Sequence, residues 1–381
     1  MALKTLKIQN VRNLREARLT ELGTVNVLFG RNGAGKTSVL EAIHLLGMGR
    51  TFRGSSIRSL ISHGQAACTV FGDISVGANT GEQRQASTSI GVQRELSGEA
   101  QVRIAGKPAR GLAELVEQFP LQVISAASFD LLTGAPGGRR QYLDWGVFHV
   151  EQRFYSQWKR FQRCIKQRNN LLRRGKITDQ ELSVWTRDLA DAGTAISEYR
   201  KAYFEGLLPR FLAIMGELAP SLDALELRYR RGWDSALSYA DALQQGMQTD
   251  KEQGYTHSGP QRADIRVVSN GHLAADTLSR GQQKLVVCGL KLAQGQLMSQ
   301  AGRGLCTYLI DDLPSELDRQ HSELVCSQLA DMQSQVFISC VQRQDVESVW
   351  PETAQKATLF HVEQGEITRG NTCLLYTSDA A

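Results

Sequence analysis

Residues 30–38 have the composition and spacing of a loop that binds phosphate groups. Their sequence, GRNGAGKTS, supplies a glycine, four residues, a second glycine, a lysine and a threonine in that order. Glycines let successive backbone N–H groups point at phosphate oxygens, a lysine can reach the β- and γ-phosphates, and a threonine hydroxyl can bind Mg²⁺. We therefore predict a site for ATP and Mg²⁺ formed by Gly30, Arg31, Asn32, Gly33, Ala34, Gly35, Lys36, Thr37 and Ser38.

The flanking residues predict the elements that must position this loop. Residues 25–29 form a short apolar run of the length of a buried strand, and residues 39–46 carry apolar side chains at helical spacing. A strand, a glycine-rich loop and a helix in this order would direct the positive end of the helix dipole at the phosphates.

A second apolar strand is predicted at residues 306–312, and it ends in Asp311 and Asp312. A strand that delivers an aspartate at its carboxyl end can complete a Mg²⁺ site opposite a phosphate loop. Many buried strands end in an aspartate, so this pattern indicates a metal site only in combination with the loop at Gly30. Upstream, residues 278–284 read LSRGQQK and open a helix rich in Leu, Val and Ala that extends over residues 285–298.

Length, charge and cysteine usage limit the class of protein. A chain of 381 residues is long enough for two lobes, and a net charge of +5 permits nucleic acid as a partner without demanding it. The seven cysteines are scattered and never form a C-x-x-C pair, which favours a reducing cytosol over a disulfide framework or a zinc site. We expect no secretory signal and no membrane span, because no sufficiently long apolar stretch is present.

Taken in order, the chain predicts a β-rich start, a helical middle and a return to strands. We expect β structure over residues 3–30, an antiparallel meander over 66–104 with a mobile hairpin tip at 77–85, and a core strand within 119–125. A hinge-like break at 134–140 precedes helices up to residue 219, with Pro209 and Pro220 marking ends or kinks. Further strands are predicted at 259–268 and 335–340.

The first long helix of the middle region carries an apolar stripe and a basic face. Phe154, Trp158, Phe161 and Ile165 recur at helical spacing. Two readings of the basic face stay open, a solvated surface and an arm that contacts DNA phosphates. The cations of this face are Arg153, Lys159, Arg160, Arg163, Lys166, Arg168, Arg173, Arg174 and Lys176, of which Arg160, Arg163 and Lys166 are the candidate DNA contacts.

Four pieces of the sequence together resemble the head of SMC-like ABC-type ATPases: GRNGAGKTSVLEAI, GPQRAD, LSRGQQKL and LIDDLPSELD. LSRGQ is similar to the ABC signature loop, usually written LSGGQ. GPQRAD and the acidic run distinguish the chain from transporter ATPases, and within the group it most resembles the RecF family of bacterial DNA repair proteins. The resemblance covers residues 1–370 and implies an α/β fold, a P-loop ABC/SMC-type ATPase head with a mixed β-sheet and an inserted, mainly helical lobe.

The resemblance also implies roles for single residues. Lys36 and Thr37 would hold phosphate and Mg²⁺, and Asp311 would complete the metal site. Asp312 takes the place of the usual catalytic glutamate, which is consistent with slow turnover. The signature residues Ser279, Gly281 and Gln282 would contact the γ-phosphate bound by a second subunit. Further positions are Asp318 for the D-loop, Ser339 for the switch residue, and Gln122, which is either the Q-loop glutamine or an ordinary strand residue.

The function implied is that of an ATP-dependent DNA-binding protein of recombinational and replication-gap repair, with a weak DNA-stimulated ATPase activity. It would dimerise with ATP on double-stranded and gapped or single-stranded DNA in the bacterial cytoplasm. With RecR and RecO it would help to load the RecA recombinase and support the SOS response. The alternative is an SMC-like structural ATPase of chromosome organisation, which would need long coiled-coil arms. A transporter ATPase is disfavoured by the long insertion.

The predicted organisation has four parts. Residues 1–135 would form the N-terminal part of the ATPase head, residues 136–250 the helical arm lobe, and residues 251–369 the C-terminal part of the head. Residues 370–381, which end in NTCLLYTSDAA, carry no pattern that fits the preceding strand and turn, and we expect them to be a non-native tail.

Overall fold

The computed structural model describes residues 2–54, 56–76, 86–174, 179–351 and 357–370. The predicted hairpin tip at 77–85, Lys176 of the basic face and the tail after residue 370 lie outside these ranges. The chain divides into two compact units, with the divisions after Ser128 and after Arg303. The first unit contains both ends of the described chain, and the second contains its middle.

The strands are numbered in chain order. They are β1 (Ala2–Val11), β2 (Leu14–Leu19), β3 (Val25–Phe29), β4 (Ala67–Val76), β5 (Ala86–Glu95), β6 (Ala100–Ile104), β7 (Lys107–Pro108), β8 (Leu121–Ile124), β9 (Leu225–Arg230), β10 (Asp264–Ser269), β11 (His272–Leu273), β12 (Thr307–Ile310), β13 (Val336–Cys340), β14 (Thr358–Glu363) and β15 (Glu366–Arg369).

The helices are numbered in the same way. They are α1 (Lys36–Met48), α2 (Leu112–Gln118), α3 (Asp130–Thr133), α4 (Pro136–Val150), α5 (Phe154–Arg174), α6 (Asp179–Leu218), α7 (Tyr239–Gln245), α8 (Met247–Gln253), α9 (Ala274–Thr277), α10 (Arg280–Gln300), α11 (Leu313–Glu316), α12 (Arg319–Asp331) and α13 (Gln344–Glu347).

The first unit is built around a sheet with the strand order β15-β14-β3-β13-β12-β8. Strand β3 pairs in parallel with both β13 and β14, and β12 pairs in parallel with β13 and β8. Strands β12 and β13 are buried along their whole length, as the continuous apolar runs of a covered parallel sheet require. Their carboxyl ends therefore meet at the edge where β3 enters the phosphate loop.

A second sheet of this unit is antiparallel and has the order β2-β1-β4-β5-β6-β7. It confirms the meander predicted from alternating residues between Ala66 and Ile104. Helix α1 packs against strands of both sheets, and its buried side chains, Val39, Leu40, Ile43 and Leu46 among them, belong to one apolar core with both sheets. This core fixes the helix that follows the phosphate loop.

The second unit consists of helices α3–α10 and a small antiparallel sheet, β11-β10-β9. Its long helices α5 and α6 pack together through the predicted apolar stripe, in which Phe154 and Phe161 are buried and Trp158 and Ile165 are half-buried. Helix α10 packs on α6 and α4. The predicted helical middle is confirmed by these elements.

The structure corrects one expectation about this unit and narrows another. The break predicted at residues 134–140 ends sooner, because Pro136 starts α4 and Arg139 and Arg140 are already helical; proline suits the first turn, where its missing N–H has no partner to lose. Pro209 lies inside α6, which continues to Leu218. Packing along α6 outweighs the hydrogen bond that this proline removes.

The strand expected over residues 259–268 begins only at Asp264, after a 3₁₀ turn at Pro260–Arg262. The compact units also divide the chain differently from the predicted boundaries at 135/136 and 250/251. Residues 251–303 pack within the helical unit, because α10 buries its apolar side against α4 and α6. None of the helices in the described part of the chain combines the length and the apolar character that crossing a membrane requires.

Candidate nucleotide site

The phosphate loop lies where the sequence predicts it, between the carboxyl end of β3 and the start of α1. Three of its glycines have a positive φ: 148° at Gly30, 79° at Gly33 and 121° at Gly35. Side chains rarely adopt such angles, so the loop depends on glycine at these positions. Gly35 precedes Lys36 directly and serves as the N-cap of α1, so the free N–H groups of the helix start at the loop.

Close packing gives Gly30 a second reason to be glycine. A Cβ atom at this position would lie 2.2 Å from the carbonyl oxygen of Val362 on β14. The loop is therefore held against the C-terminal hairpin. Gly365, in the turn of that hairpin, donates its backbone N–H to the carbonyl of Ala34 at 2.9 Å.

Lys36 is buried, and its ammonium lies inside the loop. Its Nζ donates to the carbonyl of Gly30 at 2.7 Å and to that of Arg31 at 3.1 Å. These bonds hold the charge in the concave side of the loop. A group that is anchored in this way stabilises a bound polyphosphate with little loss of side-chain entropy.

The acidic strand end meets the phosphate loop through Thr37. The Thr37 hydroxyl donates to Oδ1 of Asp311 at 2.8 Å, and the Ser339 hydroxyl donates to the same oxygen at 2.8 Å. The backbone N–H of Asp312 donates to Oγ of Ser339 at 2.9 Å. Three parallel strands thus bring together residues that are far apart in sequence.

Thr37 and Asp311 fit a Mg²⁺ site that is completed by substrate. Mg²⁺ takes oxygen ligands and usually binds one or two carboxylates together with substrate phosphates and water. The described residues contain no group of three or more His, Cys, Asp and Glu side chains arranged to hold a metal on its own. One carboxylate and one hydroxyl already in contact match a metal that arrives with a nucleotide.

Asp312 has an unusual backbone, with φ 58° and ψ 51°, at the N-cap of the short helix α11. Aspartate tolerates this left-handed conformation better than most residues do. The turn fixes the direction in which the carboxylate leaves the strand. Nearby on β13, burial raises the pKa of the Cys340 thiol to about 12, so that thiol stays neutral and adds no charge to the site.

Asn13, in the turn between β1 and β2, forms a clamp on the loop that was not predicted from the sequence. Its Nδ2 donates to the carbonyl of Ala34 at 3.0 Å, and its Oδ1 accepts from the Ser38 hydroxyl at 2.8 Å. A Cβ on Gly35 would lie 3.0 Å from the same amide. Asn13 thus joins the loop and the first turn of α1. No motif signals this role, because it depends on a contact between distant segments.

A second missed contact holds α1 itself. Arg12 donates two hydrogen bonds of 2.8 Å to the buried carboxylate of Glu41, and Thr51 donates to that carboxylate at 2.5 Å. Glu41 is fully buried, and an unpaired carboxylate there would be costly. The apolar pattern of residues 39–46 gives no reason for an acid at position 41, and that break in the pattern is the one signal the sequence offers.

The signature residues belong to the other compact unit. Ser279 is the N-cap of α10: its hydroxyl accepts from the N–H of Gln282 at 3.3 Å, and Oε1 of Gln282 accepts from the N–H of Ser279 at 2.9 Å. This capping box fixes the helix start. Ser279 and Gly281 are exposed, so the first turn of α10 is accessible.

Two other family positions have local partners. Asp318 caps α12, and its hydrogen bonds from the N–H and the ring of His321 lower the pKa of its carboxyl. Gln122 lies within strand β8, buried and opposite Tyr308 of β12. This position is inside the strand and not in a loop after it, which favours the reading of Gln122 as a strand residue.

The basic face of α5 is less uniform than its sequence suggests. Arg168 is fully buried and pairs with Asp250 at 2.7 Å, so it is a core residue and not a phosphate contact. Arg160 donates to Asp188 at 2.8 Å and lies 3.7 Å from Asp191. Arg163 and Lys166 are exposed. Of the three candidate DNA contacts, Arg163 and Lys166 are therefore the two that form no ion pair within the described residues.

The sequence of the chain is similar to a known family model and to known proteins over nearly its whole length. The family model described as RecF/RecN/SMC N terminal domain matches residues 2–368. The chain is 48% identical over 369 residues to the DNA replication and repair protein RecF of Pseudomonas fluorescens strain Pf-5, covering 97% of this chain and 98% of that protein. It is 47% identical over 369 residues to the protein of the same name from Stutzerimonas stutzeri strain A1501, with the same coverage.

Solved structures share the fold. A structure titled as the recombination mediator protein RecF-ATP in the RecFOR pathway has a TM-score of 0.83 at 23% identity, and it covers 96% of this chain and 97% of its own. An Smc head bound to the C-terminal winged-helix domain of ScpA has a TM-score of 0.59 at 13% identity, with 97% of each chain covered. The chain is therefore similar to both kinds of head in fold, and much more to the first.

Proposed function

This chain belongs to the RecF family of DNA replication and repair proteins, and from that premise we propose how its nucleotide site serves repair. As a family member it is an ATP-binding ATPase of DNA repair and not a structural protein of chromosome organisation. We propose that ATP, with Mg²⁺, closes a dimer of this chain on DNA, and that slow, DNA-stimulated hydrolysis opens it.

The contact between Thr37 and Asp311 carries the proposal. Its 2.8 Å hydrogen bond joins the phosphate loop to the acidic strand end, the two parts that a Mg²⁺-nucleotide must contact together. Mg²⁺ held by these two oxygens would neutralise charge on the β- and γ-phosphates. Ser339 donates to the same carboxylate and so orients Asp311 for that role.

The remaining residues divide the work of hydrolysis. Lys36 stabilises the negative charge of the phosphates, and the N–H groups at the start of α1 bind their oxygens. Asp312 orients the attacking water and accepts its proton. Its carboxylate is one methylene shorter than the usual glutamate, which makes proton transfer to it less favourable and turnover slow.

The side of the triphosphate that faces away from the phosphate loop also needs hydrogen-bond donors, which the loop itself does not supply. We propose that Ser279, Gly281 and Gln282 of a second copy supply them, with the exposed first turn of α10 as the anion site. Residues 251–303 would then belong to the ATPase head in function, although they pack with the helical unit.

The DNA partners proposed are duplexes and gapped or single-stranded substrates, bound mainly through phosphates. RecR and RecO are proposed as protein partners, in line with the pathway named for a related structure, together with a role in loading RecA, support of the SOS response and a place in the bacterial cytoplasm. These partners are inferred from family membership.

The test compares ATP turnover by the wild type and by Asp311→Asn, with and without duplex and gapped DNA. Asparagine can still accept the hydrogen bonds from Thr37 and Ser339, so the fold should persist while Mg²⁺ binding weakens. We expect turnover to fall at least about 100-fold, since the metal supplies several kcal/mol of charge stabilisation. Asp331→Asn, an exposed change at the end of α12, is the matched control. Normal turnover by Asp311→Asn, or the same loss in both variants, would remove Asp311 from the metal site.

A further inference from the structure

The GPQRAD motif, residues 259–264, lies outside the nucleotide site, and its residues build a cleft in the helical unit. Gly259 has φ 135°, and a Cβ there would lie 2.1 Å from the Tyr239 hydroxyl. The carbonyl of Pro260 accepts from Arg200 at 2.7 Å, and the side chain of Gln261 donates to the carbonyl of Ser258 at 2.9 Å. These contacts fix the turn that precedes β10.

Ala263 and Asp264, the last residues of the motif, also make contacts within the protein, whereas Arg262 differs from them. The Ala263 carbonyl accepts from Arg140 at 3.1 Å, and Asp264 pairs with Arg139 at 2.7 Å and with Arg266 at 2.9 Å. Arg262 is exposed, and in the described part of the chain its contact is the ring of Tyr255, 5.7 Å away. Arg262 is therefore the arginine of the motif whose side chain makes no hydrogen bond or ion pair within the described residues.

The cleft that Arg262 borders is open and has a volume of about 1650 Å³. This exceeds the few hundred to about 1000 Å³ of typical small-molecule pockets and suits a section of an extended polymer. Its cations outnumber its acids, and two of the acids, Asp264 and Glu205, already face cations. The charged lining residues are Arg140, Glu198, Lys201, Glu205, Arg230, Arg231, Asp234, Arg262, Asp264 and Arg266.

Several of these cations are crowded or uncompensated. Arg140 makes no ion pair within the described residues. Burial, with the neighbouring charges of Arg200 and Arg262, lowers its pKa, although the carboxylates of Asp264 and Asp144 act in the opposite direction. Arg230 is exposed, and its side chain makes no hydrogen bond or ion pair within those residues. Positive charges that lie close together and are only partly offset by carboxylates are stabilised by an anionic ligand.

The aromatic residues of the cleft are engaged within the protein. Trp233 packs against the guanidinium of Arg231 at 4.7 Å and against the ring of Tyr239 at 4.6 Å. Phe204 packs against Tyr229 at 5.7 Å. Each of these rings already has a partner inside the protein, so the cleft recognises a ligand mainly through its charges and hydrogen-bond donors.

We propose that this cleft binds the phosphodiester backbone of a nucleic acid without regard to sequence, with Arg262 and Arg230 as direct phosphate contacts and Arg140 as a fixed charge behind them. The inference rests on the proposed DNA-binding function and assigns it a place distinct from the basic face of α5. It also gives the GPQRAD motif a role, which is to fix the turn that carries Arg262.

The test uses the full chain and measures DNA affinity by fluorescence anisotropy at a series of salt concentrations, on two duplexes of unrelated sequence. The double variant R230Q and R262Q should reduce the slope of log affinity against log salt by about 2, because each phosphate contact on duplex DNA contributes about 0.9. The reduction should be equal on both sequences. The lysine variant, R230K and R262K, should restore most of the slope.

The matched control is R15Q with R18Q, which removes two exposed charges from β2 and should leave the slope unchanged. An unchanged slope in the R230Q and R262Q variant, or an equal fall in the control, overturns the inference. The inference is also overturned if the cleft binds only free phosphate. In that case inorganic phosphate would stabilise the wild type but not the variant, and both would bind DNA with the same affinity. A wild type that binds ATP but no DNA instead rejects the proposed DNA-binding function itself.

Discussion

The side-chain amide of Asn13 donates a 3.0 Å hydrogen bond to the carbonyl of Ala34, inside the phosphate loop. The other end of the same amide accepts from Ser38 at 2.8 Å, in the first turn of α1. Asn13 thus links the loop to the first turn of the helix. Both hydrogen bonds cross from the β1–β2 turn, so the N-terminal hairpin takes part in shaping the nucleotide site.

We expect Asn13→Ala to weaken ATP binding about tenfold, because two hydrogen bonds of about 0.5–1.5 kcal/mol each no longer hold the loop. Isothermal titration with ATP and Mg²⁺ gives the affinity. A double-mutant cycle with Ser38→Ala should show coupling between the two residues. Asn170→Ala on α5 is the control and should bind ATP like the wild type; additive effects of Asn13→Ala and Ser38→Ala would argue against the clamp.

Lys36→Ala should reduce ATP affinity by about 10- to 100-fold, in proportion to charge-assisted bonds of about 1.5–3 kcal/mol. Its ammonium also donates to the carbonyls of Gly30 and Arg31, which become free to bind water in the variant. Nucleotide titration measures the loss, and thermal unfolding serves to check that the fold is retained. Unchanged affinity would remove Lys36 from the site.

Asp312→Asn should abolish ATP hydrolysis while leaving ATP binding within about twofold of the wild type, because an amide cannot accept the proton of the attacking water. Asparagine is the suitable replacement, since Asp312 has φ 58° and asparagine tolerates this conformation. Single-turnover hydrolysis and nucleotide titration separate the two effects. Hydrolysis at the normal rate would assign the water-activating role to another group.

Reversal of Arg163 and Lys166 to glutamate tests whether the basic face of α5 contacts DNA. If it does, affinity should fall equally on unrelated sequences and the salt slope should flatten. Arg160 is left unchanged, because its ion pair with Asp188 would become a repulsion and destabilise the helix pair. A salt slope equal to that of the wild type would identify the face as merely solvated.

The geometry of the candidate nucleotide site was predictable from sequence to the extent that it depends on local pattern. The strand, loop and helix around Lys36 and the strand that ends in Asp311 lie as predicted, because phosphate binding and parallel pairing impose residue types that are visible in the sequence. Asn13, Glu41 and Gly365 were not predictable. Each acts through a contact with a segment that is remote along the chain, and such contacts leave no periodic pattern.

In the helical unit, too, the sequence pattern predicted the helices but not the contacts between distant residues. Hydrophobic spacing predicted that α5 and α6 exist, but it treated Arg168 as one more cation of a basic face. The structure buries that side chain against Asp250, Thr256 and Thr186, where ion pairing and hydrogen bonds compensate its charge. A buried arginine with a distant carboxylate partner has the same local sequence as an exposed one. Likewise Pro209 was expected to mark a helix end or a kink, and α6 does not end there but continues to Leu218.

The N-cap of α10, Ser279, offers a test of ATP-dependent dimerisation. Ser279→Arg would block an approaching γ-phosphate by its bulk, but it would also remove the N-cap of α10, at a cost of about 0.5–2 kcal/mol. Ser279→Asp separates the two effects. Aspartate is a good N-cap and can accept from the N–H of Gln282, whereas its charge repels a phosphate.

We therefore expect both Ser279→Arg and Ser279→Asp to bind ATP nearly as the wild type does, and to lose ATP-dependent dimerisation and hydrolysis. Ser279→Thr keeps the cap and the hydroxyl, and it should dimerise. Sedimentation velocity with ATP and Mg²⁺ gives the oligomeric state of each variant. Since Ser279→Asp keeps the capping box, loss of dimers in this variant points to the anion site and not to a frayed helix. Dimerisation and normal turnover by both Ser279→Arg and Ser279→Asp would show that α10 of a second copy does not complete the site.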